Sequence, residues 1–188
     1  MLITISGVHG LGKTTLVNEL DLKMPVVKIV DSDILMDNTI TDPVENQMKR
    51  ILIYKTILST VSVMPRNIPV IIDSSPLNFY VYLEATAEKS HPRYDFCMQQ
   101  IDATVKLWKS LKPTNVLLVP LRKEDVFKNI CNRNRSCVEY ELDIFDLVYD
   151  MFYINNSEFF AKLVKHISTT TRIDLGNRAI ERIVNKNS

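Results

Sequence analysis

At 188 residues, with 46% hydrophobic and 24% charged side chains, the chain has the size and balance of one globular domain with a single sizeable core. Its 23 Lys plus Arg against 22 Asp plus Glu leave a net charge of +1, which lacks the basic excess of a dedicated nucleic-acid binder. No apolar run reaches the ~18 residues of a membrane-spanning helix, so no membrane partner is expected. The start, MLITISGVHG, has no basic segment and no small-residue cleavage site, and a glycine turn cuts its apolar run short. A reducing, cytoplasmic setting is therefore expected. Cys97, Cys131 and Cys137 agree with it, being odd in number and without a CxxC pair, and they read as ordinary thiols.

In chain order, residues 2–6 (LITIS) are a short, β-branched apolar run, predicting a strand that ends at Gly7. The segment GVHGLGKT at 7–14 follows, and a helix is expected over 14–22. A second strand is expected at 26–30, closed by the triplet Asp31-Ser32-Asp33. Apolar residues at helical spacing cover 42–63. A third strand, at 69–73, ends in Asp73. Helices over 77–88 and 94–111 are divided near Ser90-His91-Pro92. The run NVLLVP predicts a fourth strand at 115–120. Helices at 123–132 and 140–166 flank a polar break that holds Arg133, Asn134, Arg135 and Ser136. A weaker fifth strand is expected at 170–174, before Gly176, and a terminal helix at 177–184. Strands alternating with helices favour an α/β domain built on a parallel sheet.

Only four glycines occur in the chain, and Gly7, Gly10 and Gly12 lie within one short segment. Backbone that wraps phosphate oxygens needs residues without a Cβ. GVHGLGKT satisfies G-x-x-x-x-G-K-[ST] at every fixed position, after a strand and before a helix, as that motif requires. Residues Gly7, Val8, His9, Gly10, Leu11, Gly12, Lys13, Thr14 and Thr15 are thus the candidate nucleotide-binding set. The backbone N–H groups of 8–14 are expected to point at the β-phosphate, helped by the positive end of the following helix. Lys13 bridges the β- and γ-phosphates in this reading, and the Thr14 hydroxyl ligates Mg²⁺, with ATP as phosphate donor. His9 occupies a variable loop position and reads as tolerated rather than catalytic.

On these residues the chain resembles the P-loop kinases, the group that includes nucleoside, nucleoside-monophosphate and shikimate-type kinases. The resemblance implies a single domain over 1–188, a three-layer αβα fold and a five-stranded parallel sheet in the order 2-3-1-4-5. It also implies that Asp31 and Asp33, at the second strand's end, face the phosphoryl acceptor, one of them serving as base. The triplet Asp31-Ser32-Asp33 resembles the DxD of shikimate-type kinases. Asp73 resembles the acid that holds Mg²⁺ at the end of the third strand, so Thr14 and Asp73 are the expected metal ligands. The stretch 73–82, which opens with Asp73-Ser74-Ser75-Pro76, is similar to a DRxxxSxxAY-like segment of thymidylate kinases, with Tyr82 at the matching tyrosine. Ser74, however, stands where those enzymes carry the arginine that grips the acceptor's phosphate, which favours a non-phosphorylated acceptor. Arg133 and Arg135, with Arg122 third, resemble the arginines of a lid near 132–138 that closes on the triphosphate.

The expected activity is transfer of the γ-phosphate of Mg-ATP to a hydroxyl of a small acceptor, a nucleoside or nucleotide first. Shikimate- or gluconate-like and polynucleotide 5′-hydroxyl kinases are alternatives within the same chemistry. A regulatory ATP-binding protein or slow NTPase is the alternative of another class. No guanine-reading NKxD motif is present. Many members of the group are dimers, so a homodimer is an open expectation. His91 and His166 show no metal-ligand spacing. Trp108, and Tyr149, Phe152 and Tyr153 at helical spacing, read as core. Tyr80 and Tyr82 read as core packing with an acceptor pocket as the second role. Gly176 resembles a turn near the adenine.

Overall fold

The computed structural model describes residues 1–20, 24–30, 41–120, 122–132, 142–155, 167–170, 180–182 and 184. Asp31, Ser32, Asp33, Arg133, Asn134, Arg135, Ser136, Cys137, His166 and Gly176 lie outside the described residues.

The strands are β1 (Leu2–Ser6), β2 (Val27–Ile29), β3 (Val70–Ile72), β4 (Thr114–Leu118) and β5 (Ile167–Thr170). They pair, all in parallel, in the order β2-β3-β1-β4-β5, the order the sequence reading expects. Every residue of β1 is buried, the mark of a central strand covered on both faces. Its side chains alternate between two cores. Leu2 joins Val70, Ile72 and Leu117 in one, whereas Ile3 and Ile5 join Ile71, Val116 and Leu118 in the other.

Helices cover both faces. The smaller core is closed by α1 (Lys13–Glu19), through Leu16, Val17 and the following Leu20, and by Ile180 and Val184. The larger is closed by α2 (Pro43–Val63), α3 (Pro76–Thr86), α4 (Tyr94–Ser110), α5 (Lys123–Cys131) and α6 (Phe145–Asp150), whose last turn runs into a π-helix, Met151–Asn155. The three layers are thus helix, sheet, helix.

Local chemistry sets the ends of these elements. Asp42 caps α2, its carboxylate accepting from the Glu45 N–H at 2.9 Å, and Pro43 occupies the first turn, where no N–H partner is needed. Pro65 pushes Met64 into an extended conformation and stops α2 after Val63. The break at Ser90-His91-Pro92 falls between α3 and α4, as expected, and is stapled to the start of α2 by His91–Asp42 at 3.2 Å and Arg93–Glu45 at 2.7 Å.

One expectation needs correction. The fifth strand begins at Ile167, three residues before the expected start at 170, because its partner dictates its register: Ile167 lies opposite Asn115 and Thr170 opposite Leu118. Of the helix expected over 140–166, the described residues 142–155 are helical apart from a turn at Ile144, and α6 passes directly into the π-helix. A wider i→i+5 turn leaves no trace in apolar periodicity.

Cys97 has no exposed surface, and burial pushes its thiol up to about 11, with the nearby Glu45 charge adding to the effect. The thiolate is the reactive form, and at pH 8 only about a thousandth of such a thiol carries it. Iodoacetamide at pH 8 is expected to leave Cys97 unmodified in the folded protein and to label it only after unfolding, as read by peptide mass spectrometry.

Candidate active site

The carboxyl end of β1 opens into GVHGLGKT, which runs directly into α1. Three residues of the loop take positive φ: Gly7 at 140°, Gly10 at 85° and Gly12 at 80°. Gly12 is the N-cap of α1, and its carbonyl accepts the first helical bond, from Leu16 N–H at 2.8 Å. Lys13 folds its side chain back over the loop, donating from Nζ to the carbonyls of Gly7 at 2.8 Å and Val8 at 3.0 Å. The ammonium thereby stands over the concave side of the turn, at the positive end of α1. Thr15 is exposed on the first turn of that helix.

Thr14, the next side chain, donates from Oγ1 to Asp73 Oδ2 at 2.6 Å. Asp73 is buried at the end of β3, and its own N–H bonds to the Ile29 carbonyl at 3.1 Å, so the tips of β1, β2 and β3 meet here. Beneath them lies a buried polar layer. Thr4 and Ser6 both donate to Asn115 Oδ1 at 2.9 Å, which leaves Ser75 to donate in its 2.6 Å contact with Ser6. This layer ties the β3–α3 turn, and Asp73 with it, to the strand that carries the loop. A hydroxyl and a carboxylate in contact at a helix N-terminus are hard oxygen donors suited to Mg²⁺. Among the described residues no group of three or more His, Cys, Asp or Glu gathers that could hold a metal by itself. The pair therefore suits an ion that takes its remaining ligands from phosphate oxygens and water.

No family model and no curated protein sequence matches the chain. Solved structures do. Deoxyadenosine kinase from M. mycoides, with products dCMP and a flexible dCDP bound, aligns with a TM-score of 0.59 at 15% identity, over 99% of this chain and 100% of that one. The same kinase with bound dATP gives 0.53 at 16% identity, over 98% and 99%. Thymidylate kinase from Candida albicans gives 0.55 at 15% identity, over 99% and 92%. The chain has the P-loop nucleoside and nucleotide kinase fold. At these identities the likeness is one of fold, and the site stands on its own geometry.

Within that fold the expected residues divide. Lys13, Thr14 and Asp73 converge. Asp31 and Asp33 follow the strand end whose Ile29 bonds Asp73, but they lie outside the described residues, as do Arg133 and Arg135. Arg122 forks onto Asp125 at 2.9 and 2.8 Å on an exposed helix start. His9 rests its ring on Tyr82 of α3, centroids 4.8 Å apart, so this loop side chain is turned toward the α3 side. Val8 does not offer its N–H to a ligand, because that group already donates to the Tyr153 hydroxyl at 3.2 Å.

Three side chains escaped the sequence reading. Tyr153, expected as core, is the first. Gln47 on α2 and Asn78 on α3 are the others, both buried, with Gln47 Oε1 and Asn78 Oδ1 lacking hydrogen-bond partners among the described residues. Gln47 falls within the α2 stripe Val44, Ile51, Tyr54, Leu58, and a polar residue in such a stripe is the signal that marks it. Arg50, one turn further along α2, lies over the Phe79 ring of α3 at 5.7 Å, so α2 and α3 face each other at this point. Ser74 is buried between them, its carbonyl accepting from the Tyr54 hydroxyl at 3.0 Å and its Oγ from Asn78 Nδ2 at 3.3 Å.

The glycines answer to packing as well as to phosphate. A Cβ on Gly10 would come within 2.9 Å of both the Val126 carbonyl and Ile130 Cγ1 on α5. With φ at 85° as well, Gly10→Ala is expected to cost about 2 kcal/mol of stability, read as a lowered urea midpoint at unchanged m-value.

Proposed function

We propose that the chain is a phosphotransferase that moves the γ-phosphate of Mg-ATP to a hydroxyl of a small acceptor of the nucleoside class. The observation that carries this reading is the 2.6 Å contact of Thr14 with Asp73 beside the Lys13 ammonium, all within a G-x-x-x-x-G-K-T turn at the carboxyl edge of the sheet. Open α/β sheets bind their ligands at that edge.

In this reading the loop amides and the N-terminus of α1 hold the β-phosphate, and Lys13 leaves its two carbonyl partners to lie along the β- and γ-phosphates. Thr14 and Asp73 hold Mg²⁺, which when bound neutralises charge on the phosphate oxygens. Asp31 or Asp33 accepts the proton of the attacking hydroxyl, and Arg133 and Arg135 close a lid near 132–138 over the transferring group. These last four roles rest on sequence position alone. The protein's work is positioning and charge stabilisation, since phosphoryl transfer asks for little covalent chemistry from the chain.

The α2–α3 seam supports a nucleoside-class acceptor. Ser74 puts a neutral, buried side chain where an arginine would grip an acceptor phosphate. Gln47 and Asn78 present buried carbonyl oxygens, and a buried acceptor left unpaired costs about 1–3 kcal/mol, which a ligand bearing N–H or O–H donors relieves. The dCMP, dCDP and dATP held by the M. mycoides kinase agree with this class. Among the described residues no helix is long and apolar enough to cross a membrane.

The test uses labelled ATP and Mg²⁺ with a panel of nucleosides, nucleoside monophosphates, shikimate and a 5′-hydroxyl oligonucleotide. Transfer to nucleosides in preference to monophosphates is expected, and ATP hydrolysis across the whole panel without transfer defeats the proposal. Lys13→Ala is expected to lower kcat/KM by at least about a hundredfold. Gln47→Leu is expected to raise the acceptor's KM about tenfold while the KM for ATP stays unchanged, and equal effects on both would remove Gln47 from the acceptor site.

A further inference from the structure

Val8 and Gly10 each make one hydrogen bond from the phosphate-binding loop to an element far along the chain. Asn129, in the last turn of α5, donates from Nδ2 to the Gly10 carbonyl at 3.1 Å. Tyr153, on the π-helix, accepts from the Val8 N–H at 3.2 Å and donates to the Leu118 carbonyl at 2.8 Å. One phenol thus spans the first turn of the loop and the last residue of β4. A phenol can both donate and accept; burial raises the Tyr153 pKa well above the ordinary tyrosine value, the nearby Tyr149 adds to this, and the Val8 bond opposes it only in part.

Gly7 is shaped around this phenol. A Cβ there would lie 3.1 Å from the Tyr153 oxygen and 3.0 Å from the Leu118 carbonyl, so the first glycine of the motif makes room for the tyrosine. Its ring packs on Tyr149 at 4.9 Å and Phe152 at 5.9 Å. Tyr149 in turn lies under the Lys123 ammonium of α5 at 4.8 Å, and the same ammonium pairs with Asp146 at 3.0 Å and Asp150 at 3.7 Å on α6. The π-turn is what changes the helical phase after Asp150, and single π-turns gather at functional sites.

We propose that Tyr153 is a positioning residue for the triphosphate. Its hydroxyl withdraws the Val8 amide from the loop's concave face and fixes the turn at Gly7, so that the amides from Gly10 onward are the ones presented to phosphate. This rests on the loop being a nucleotide site, and it adds to that reading a residue which touches no substrate. Removal of the hydroxyl frees the Val8 amide and leaves the Leu118 carbonyl without its donor.

Tyr153→Phe tests this at a temperature where circular dichroism shows parent and variant folded. The Kd for ATP and the KM for ATP are each expected to rise about fivefold, with kcat and the acceptor's KM within about twofold of the parent. A folded Tyr153→Phe that binds ATP as the parent does overturns the proposal, because a residue that only stabilises the fold leaves the affinity unchanged. Should the variant not fold, amide exchange in the parent decides: the Val8 amide is expected to be protected, and exchange at the rate of an exposed loop amide overturns the proposal. Lys13→Ala keeps the two readings apart. If it binds ATP like the parent, the nucleotide site itself is refuted, whereas a selective loss in Lys13→Ala with none in Tyr153→Phe refutes only the role of Tyr153.

Discussion

The structure depends first on a turn that side chains would obstruct. Between β1 and α1 the backbone passes through positive φ at Gly7, Gly10 and Gly12, and at the first two the space a Cβ would need is filled by Tyr153 and Leu118, and by Val126 and Ile130. The loop is therefore pressed against β4, α5 and the π-helix while its concave face stays lined with backbone. Its shape follows from what packs behind it as much as from the ligand it would hold in front.

Buried polarity does the corresponding work under the sheet edge. Thr4, Ser6, Ser75 and Asn115 share buried hydrogen bonds on the face of β1 that Leu2 also occupies. An apolar layer of the same volume would tolerate sliding of the β3–α3 turn against β1. A layer of paired hydroxyls and one amide does not, since any displacement strands a buried donor or acceptor. The position of Asp73 beside Thr14 inherits that precision.

Much of the fold was legible in the chain. The parallel order β2-β3-β1-β4-β5 follows from the alternation of runs together with the resemblance carried by GVHGLGKT. Asp42-Pro43 and Met64-Pro65 announce both ends of α2 chemically. What stayed hidden depends on distance or on phase. Ile167–Thr170 finds its place through β4, and its own residues do not announce the start. Tyr153 has the spacing of a core aromatic, and only the π-turn and a partner far away in sequence reveal a polar task. Gln47 was legible in principle, as the glutamine in an apolar stripe, but helical spacing alone cannot say what approaches its amide. Asp31, Asp33, Arg133 and Arg135 lie outside the described residues.

The bond from Val8 to Tyr153 joins residues 145 positions apart, and those from Ser6 to Asn115 and Gly10 to Asn129 span 109 and 119. A loop encoded at residues 7–14 is thus completed by residues made more than a hundred positions later. At ribosomal speeds of roughly 5–20 residues per second, the glycine turn waits on the order of ten seconds for its last tether. During synthesis β1 is an apolar strand whose parallel partners are still to come, so the most recognisable part of this sequence is also among the last to acquire its working shape.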